Sequence, residues 1–131
     1  MAGTFKFELV SPEKVLLSDD ASEAIVPGSD GEFTVLEGHA PVISTMRPGR
    51  LTVKLDGRDR VVFVRGGIVE VEPHSLTILA QHLIDLDSPD RGEAISTEIK
   101  AAEAMLAASQ DDIERMAAED TLSHLRELST R

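Results

Sequence analysis

Residues 26–41 read VPGSDGEFTVLEGHAP, and this stretch decides the fold class. Pro27-Gly28 and Asp30-Gly31 set two turn signals close together, each with a glycine free to take φ > 0. Phe33 and Val35 then alternate with Glu32 and Thr34, the period of a short half-buried strand. Gly38-His39-Ala40-Pro41 makes the next tight turn, whose proline forces Ala40 toward an extended backbone. Two turns bracketing a strand place Glu32, Glu37 and His39 at loop ends, where binding side chains tend to sit. On its residues alone the stretch is a hairpin of a β-sandwich.

The same pattern repeats on both sides. Phe5, Phe7 and Leu9 alternate with Lys6 and Glu8, and Ser11-Pro12 ends that strand. Val15-Leu16-Leu17 and Ala24-Ile25-Val26 read as two more strands, separated by a turn at Ser18-Asp19-Asp20. Leu51, Val53 and Leu55 alternate with charged or hydroxyl residues and run into Asp56-Gly57, the preferred pair for a type I′ hairpin. Arg58 to Val64 is the returning strand. Gly66-Gly67 reads as a bulge or chain reversal; without a following Lys-Ser/Thr and helix it is no phosphate cradle. Pro73-His74-Ser75 turns the chain into a last strand at Leu76-Thr77-Ile78-Leu79-Ala80. The predicted fold is α+β, mainly β: over residues 1–87, an antiparallel sandwich or flattened barrel of about ten short strands.

The character changes near Asp87. Ser88-Pro89 predicts a helix start, with Ser88 as N-cap, and Ile95, Ile99, Ala102 and Leu106 make one narrow apolar face. Ser109 and Asp112 predict a capping box for a second helix, whose stripe reads Ile113, Met116, Ala117, Leu125 and Leu128. Leu122 falls off that stripe and Asp120 on it, predicting a break near residues 119–121. Residues 88–131 are therefore expected to form an antiparallel helix hairpin.

Composition narrows the function. The chain has 131 residues, a net charge of −11 and no cysteine, which excludes disulfides and thiol chemistry. Eight Lys/Arg against fourteen Asp/Glu leave residues 1–87 at −6; five against ten leave residues 88–131 at −5. Neither part is basic, which argues against nucleic acid and direct docking on anionic lipid. With four phenylalanines as the only aromatics, base-stacking platforms are nearly absent. No apolar run has membrane-spanning length, so membrane association is expected only through a partner. The histidines at 39, 74, 82 and 124 lack metal-ligand spacing, and no nucleophile motif or carboxylate pair with a pocket appears. No metal, no catalytic residue and no enzymatic activity are expected.

Several motifs in order resemble one family. Residues 26–41 are similar to the signature of the epsilon subunit of F-type ATP synthases, the subunit called delta in mitochondria. The resemblance continues through Met46-Arg47-Pro48-Gly49-Arg50-Leu51, through residues 64–71 (VRGGIVEV), and through Leu76-Thr77-Ile78-Leu79-Ala80. It implies a non-catalytic rotor subunit of the central stalk, coupling the c-subunit ring to the gamma subunit, peripheral on the cytoplasmic face of the bacterial inner membrane. By matching position, Glu32, with Asp30 beside it, would contact the c ring, and His39 with Pro41 would face gamma. Gly28, Gly31, Gly38, Gly66 and Gly67 would shape the backbone of these turns. The helix hairpin would be a regulatory domain acting on the alpha and beta subunits, through Arg115 and Arg126. Some members bind ATP where the domains join through I/L-D-x-x-R-A; here Asp87 and Arg91 are four apart, not three, and Gly92 replaces alanine. That departure argues against tight ATP binding, and no cofactor is expected. The rival reading is a free-standing β-sandwich interaction module with a helical oligomerisation arm.

Overall fold

The computed structural model describes residues 3–13 and 15–129, and the chain divides into two compact units between Asp87 and Ser88. The first unit holds seven strands: β1 Phe5–Val10, β2 Val15–Gly28, β3 Gly31–Val35, β4 Val42–Thr45, β5 Gly49–Leu55, β6 Arg58–Glu72 and β7 Ser75–Asp85. They run in the order β1-β7-β6-β5-β2-β3, and β1 also pairs with β2, so the sheet closes on itself as a flattened barrel. β3 is appended to β2, and β4 to β6. All pairings are antiparallel except β1 with β7, which is parallel from Lys6↔Ser75 to Val10↔Leu79.

Seven strands replace the ten expected because β2 and β6 are long and turn corners without breaking. The expected turn at Ser18-Asp19-Asp20 lies inside β2, where these residues pair with Glu8, Phe7 and Lys6. Asp20 faces Lys6 directly, a favourable cross-strand pair, so the ladder overrides the local turn preference. At Gly66-Gly67 neither bulge nor chain reversal occurs. The β6–β7 ladder keeps one register from Val62↔Asp85 to Glu72↔Ser75, skipping only the step at Gly66, while both glycines take positive φ, 73° and 130°.

There the ribbon turns over. Core positions change parity from Val62 and Val64 to Val69 and Val71 in β6, and from Leu76, Ile78 and Ala80 to Leu83 in β7. β2 changes from Ala21 to Ala24 and Val26 across its register shift against β5. A period-2 reading sees each parity change as a strand end. The inner faces meet in one apolar core that includes Phe5, Phe7, Leu9, Val26, Leu51, Val53, Leu76 and Ile78.

The turns also differ in detail. Leu55↔Arg58 leaves Asp56-Gly57 as the expected two-residue loop, but only Gly57 has positive φ, the sign pattern of a type II rather than a type I′ turn. Gly28 pairs with Gly31 across Ser29-Asp30, and Gly28 lacks positive φ. Its missing side chain makes room instead: a Cβ there would stand 2.8 Å from the Phe33 ring.

The second unit is a hairpin of α1 Arg91–Ala108 and α2 Asp112–Ser129. Both start signals are displaced. Asp90, not Ser88, is the N-cap of α1, and the Ser88 hydroxyl accepts the Asp90 N–H (3.2 Å) in a turn before the helix. Ser109 closes α1 by donating to the Leu106 carbonyl (2.7 Å). The cap of α2 is Asp111, whose Oδ1 accepts the Glu114 N–H (2.8 Å), while Glu114 reaches back to the Gln110 N–H (3.0 Å). α2 does not break near residues 119–121. Its buried face is Ala118, Thr121, Leu122, Leu125 and Leu128, in steps of three, one, three and three that keep one side of the helix and include Leu122, whereas Ile113 and Met116 are 81% and 68% exposed. On α1, Ile95 and Ala102 are buried with Ile99 and Leu106 half-buried, so that face is as expected.

Candidate functional site

β3 presents two faces. Glu32 and Thr34 point outward and are exposed; Phe33 and Val35 point inward, Val35 into the core and Phe33 onto its rim. Asp30 is exposed in the β2–β3 turn. The loop 36–41 is exposed except at His39, which is half-buried. Gly38, at φ 83°, donates its N–H to the Pro73 carbonyl (2.7 Å), and His39 donates its N–H to Leu36 (3.1 Å). The His39 ring lies 6.2 Å from the Phe33 ring, with Nδ1 2.7 Å from the Ala40 carbonyl. Glu32 therefore lies on the face of β3 opposite the one whose Phe33 the His39 ring approaches. Pro41 is exposed and leads directly into β4.

An exposed apolar row on the outside of the barrel escaped the sequence reading. Thr45 pairs with Ile68, Ile68 with Leu79, Leu79 with Val10, and Val10 with Val15. This row crosses five strand segments on the outside of the barrel, with Ile68 46%, Leu79 50% and Val15 55% exposed. Ile43, two residues before Thr45 on the same face of β4, is 75% exposed. A hollow of about 140 Å³ opens beside the row, between Val10, Pro12, Leu79 and Gln81. A signal existed: Ile68 and Leu79 are apolar at positions out of phase with Val69-Val71 and Ile78-Ala80. Apolar residues on the polar phase of neighbouring strands mark an interaction surface when they join into one contiguous patch.

The residues singled out for regulation are engaged close to home. Arg115 pairs with Asp112 one turn earlier in α2, and Arg126 bridges the hairpin to Glu103 of α1 at 3.3 Å. Asp87 belongs to the first unit: its Oδ2 accepts from Arg60 Nε (3.2 Å) and from the Val61 N–H (3.1 Å). Arg91 opens α1 and lines a hollow of about 300 Å³ with Ile95, Ser96, Ile99 and Leu128. Its walls offer one cation, the Ser96 and Ser129 hydroxyls and apolar side chains, with no histidine or carboxylate among them to serve as a base. Among the described residues, no cluster of His, Asp or Glu has the geometry to hold a metal ion.

The closed β unit carries on its outside an exposed aliphatic row, the kind of surface on which a partner docks. The sequence model of the ATP synthase delta/epsilon chain β-sandwich domain matches residues 4–85. The ATP synthase epsilon chain of Parvibaculum lavamentivorans is 42% identical over 129 residues, covering 98% of this chain and 97% of that protein. The epsilon chain of Mesorhizobium japonicum is 41% identical over 130 residues, 98% and 95% of the two chains. Among solved structures, a chain of the Euglena gracilis mitochondrial ATP synthase OSCP/F1/c-ring assembly is similar with a TM-score of 0.71 at 22% identity, over 97% of this chain and 80% of that one. A chain of the Tetrahymena thermophila mitochondrial ATP synthase central stalk and c-ring gives 0.65 at 18%, over 98% and 96%. The chain belongs to the ATP synthase delta/epsilon family.

Proposed function

We propose that this chain is a non-catalytic central-stalk subunit of a bacterial F-type ATP synthase, seated between the gamma subunit and the c ring on the cytoplasmic face of the inner membrane. The observation that carries the reading is the row Val15–Val10–Leu79–Ile68, exposed except at the half-buried Val10 and continued by Ile43. Such a surface costs solubility in a chain that works alone and is stabilising once covered. The family supplies the partners, and the two faces of β3 supply two directions of contact. Glu32 and Asp30 point to the polar loops of the c ring; His39, Pro41 and the aliphatic row point to gamma. The carboxylate of Glu32 suits basic and amide groups on those loops. The helix hairpin is the brake on ATP hydrolysis. To engage the alpha and beta subunits through Arg115 or Arg126, it would exchange the internal pairs with Asp112 and Glu103 for acidic partners outside.

Calorimetric titration of this chain with its own gamma subunit tests the reading. The expected result is binding at roughly micromolar affinity or tighter. Leu79→Asp should weaken it at least about tenfold without lowering the melting temperature, because Leu79 is half exposed. A folded chain with no affinity for gamma would overturn the proposal and leave the free-standing module.

A further inference from the structure

The last residues of the β unit are fastened by a compact arrangement of three charged side chains. Arg60, on β6, is 22% exposed in its side chain and donates from Nη2 to Asp85 Oδ2 (2.9 Å) and from Nε to Asp87 Oδ2 (3.2 Å). The backbone completes it. The Val61 N–H donates to Asp87 Oδ2 (3.1 Å), the Asp87 N–H to Asp85 Oδ1 (2.9 Å), and the Leu86 N–H to the Val61 carbonyl (3.1 Å). Four donor–acceptor contacts thus hold the chain to β6 as far as two residues past the end of β7, and the Asp87–Asp85 bond folds that segment on itself. A lone surface ion pair contributes little, but a guanidinium fork on two carboxylates that also accept backbone N–H groups is a rigid unit. The next residues are restricted for separate reasons. Ser88 precedes Pro89, which confines Ser88 to extended conformations, and the Ser88 hydroxyl and carbonyl already hold the Asp90 and Arg91 N–H groups.

We infer that the Arg60 clasp makes Asp87 a fixed root, so that any swing of the helix hairpin takes place at the Asp87–Ser88 junction and not by peeling β7. The hairpin then turns about one narrow joint while β7, which closes the barrel on β1, stays whole. The clasp is built from this chain's own cation, so the root stays set without a bound nucleotide at Asp87. The inference rests on the β unit and holds whichever partner covers the aliphatic row.

The test uses the full-length chain and Arg60→Gln. Amide exchange should quicken about tenfold at Val61 and Asp87 in the variant, the effect of losing hydrogen bonds to a charged group. The β5–β6 ladder amides should be unchanged, as Arg60 takes no part in the core. Mg-ATP should leave the Val61 and Asp87 amides of the natural chain unaltered. The absence of cysteine allows a second readout, with spin labels at Asp56→Cys and Gln110→Cys, both exposed. Their distance distribution should widen in Arg60→Gln. Unchanged exchange at Val61 and Asp87, an unchanged distribution, or added protection by Mg-ATP would each overturn the inference.

Discussion

Gly67→Ala should be among the most damaging single-methyl additions in this molecule. Gly67 sits at the β6–β7 corner with φ 130°, where side-chain-bearing residues are strained. A Cβ at Gly67 would overlap the Leu79 carbonyl oxygen and stand 3.0 Å from the Ala80 Cα. These are backbone atoms of a paired strand and cannot rotate away. To accept alanine, β6 must leave β7, weakening the Gly67↔Ala80 step and the Met46 N–H bond to the Gly67 carbonyl (3.2 Å). Strain of about 1–3 kcal/mol adds to hydrogen bonds of about 1 kcal/mol each. We expect about 4 kcal/mol or more, a large part of the ~5–15 kcal/mol that stabilises a domain. Gly57→Ala is the control, since Gly57 has φ 80° but open space around its Cα. It should lose about 1–2 kcal/mol. Urea unfolding of both variants measures the difference. Unfolding free energies agreeing to within about 1 kcal/mol would refute the close-approach argument.

Three further outcomes follow from the same geometry. Leu122→Ala should destabilise the hairpin by about 2–5 kcal/mol, read as lost helical circular dichroism on heating, while Ile113→Ala should change stability by less than about 0.5 kcal/mol. Asp111→Ala should cost about 1 kcal/mol through loss of the α2 cap; Asp112→Ala, one residue on, should cost less, and equal losses would contradict the observed cap. Glu32→Lys should leave the melting temperature unchanged, because Glu32 is exposed, yet reduce proton-coupled ATP synthesis in membrane vesicles; full coupling would remove Glu32 from the c-ring contact.

The β-sandwich and the helix pair were legible because alternation and turn residues report burial on one face. Phe5-Phe7-Leu9 and Leu51-Val53-Leu55 are buried as their spacing predicts. Strand number was not legible, because the ribbon turns over at Gly66-Gly67 and at the β2 bulge, and a reader of phase sees an ending there. The α2 stripe was misread for a related reason. Ile113 and Met116 lie near the loop end of the hairpin, where apolar residues meet no opposite helix, and they drew the stripe away from Leu122. At the proposed site, Glu32 and His39 came from motif position, whereas the aliphatic row and the Arg60 clasp depend on residues far apart in sequence. Pairings such as Leu79↔Val10 and Arg60–Asp85 have no local signature.

The parallel seam between β1 and β7 also governs how the molecule is born. Lys6 finds Ser75, and Val10 finds Leu79, so the first strand made waits for the last before its second edge is paired. On a ribosome adding about 5–20 residues per second, that edge stays open for several seconds while β2 to β6 assemble beside it. Lys6 and Glu8, charged and on the outward phase of β1, guard this interval against pairing with another nascent chain. The helix hairpin emerges only after the seam has its partner strand, so the barrel can be sealed before anything hangs from it.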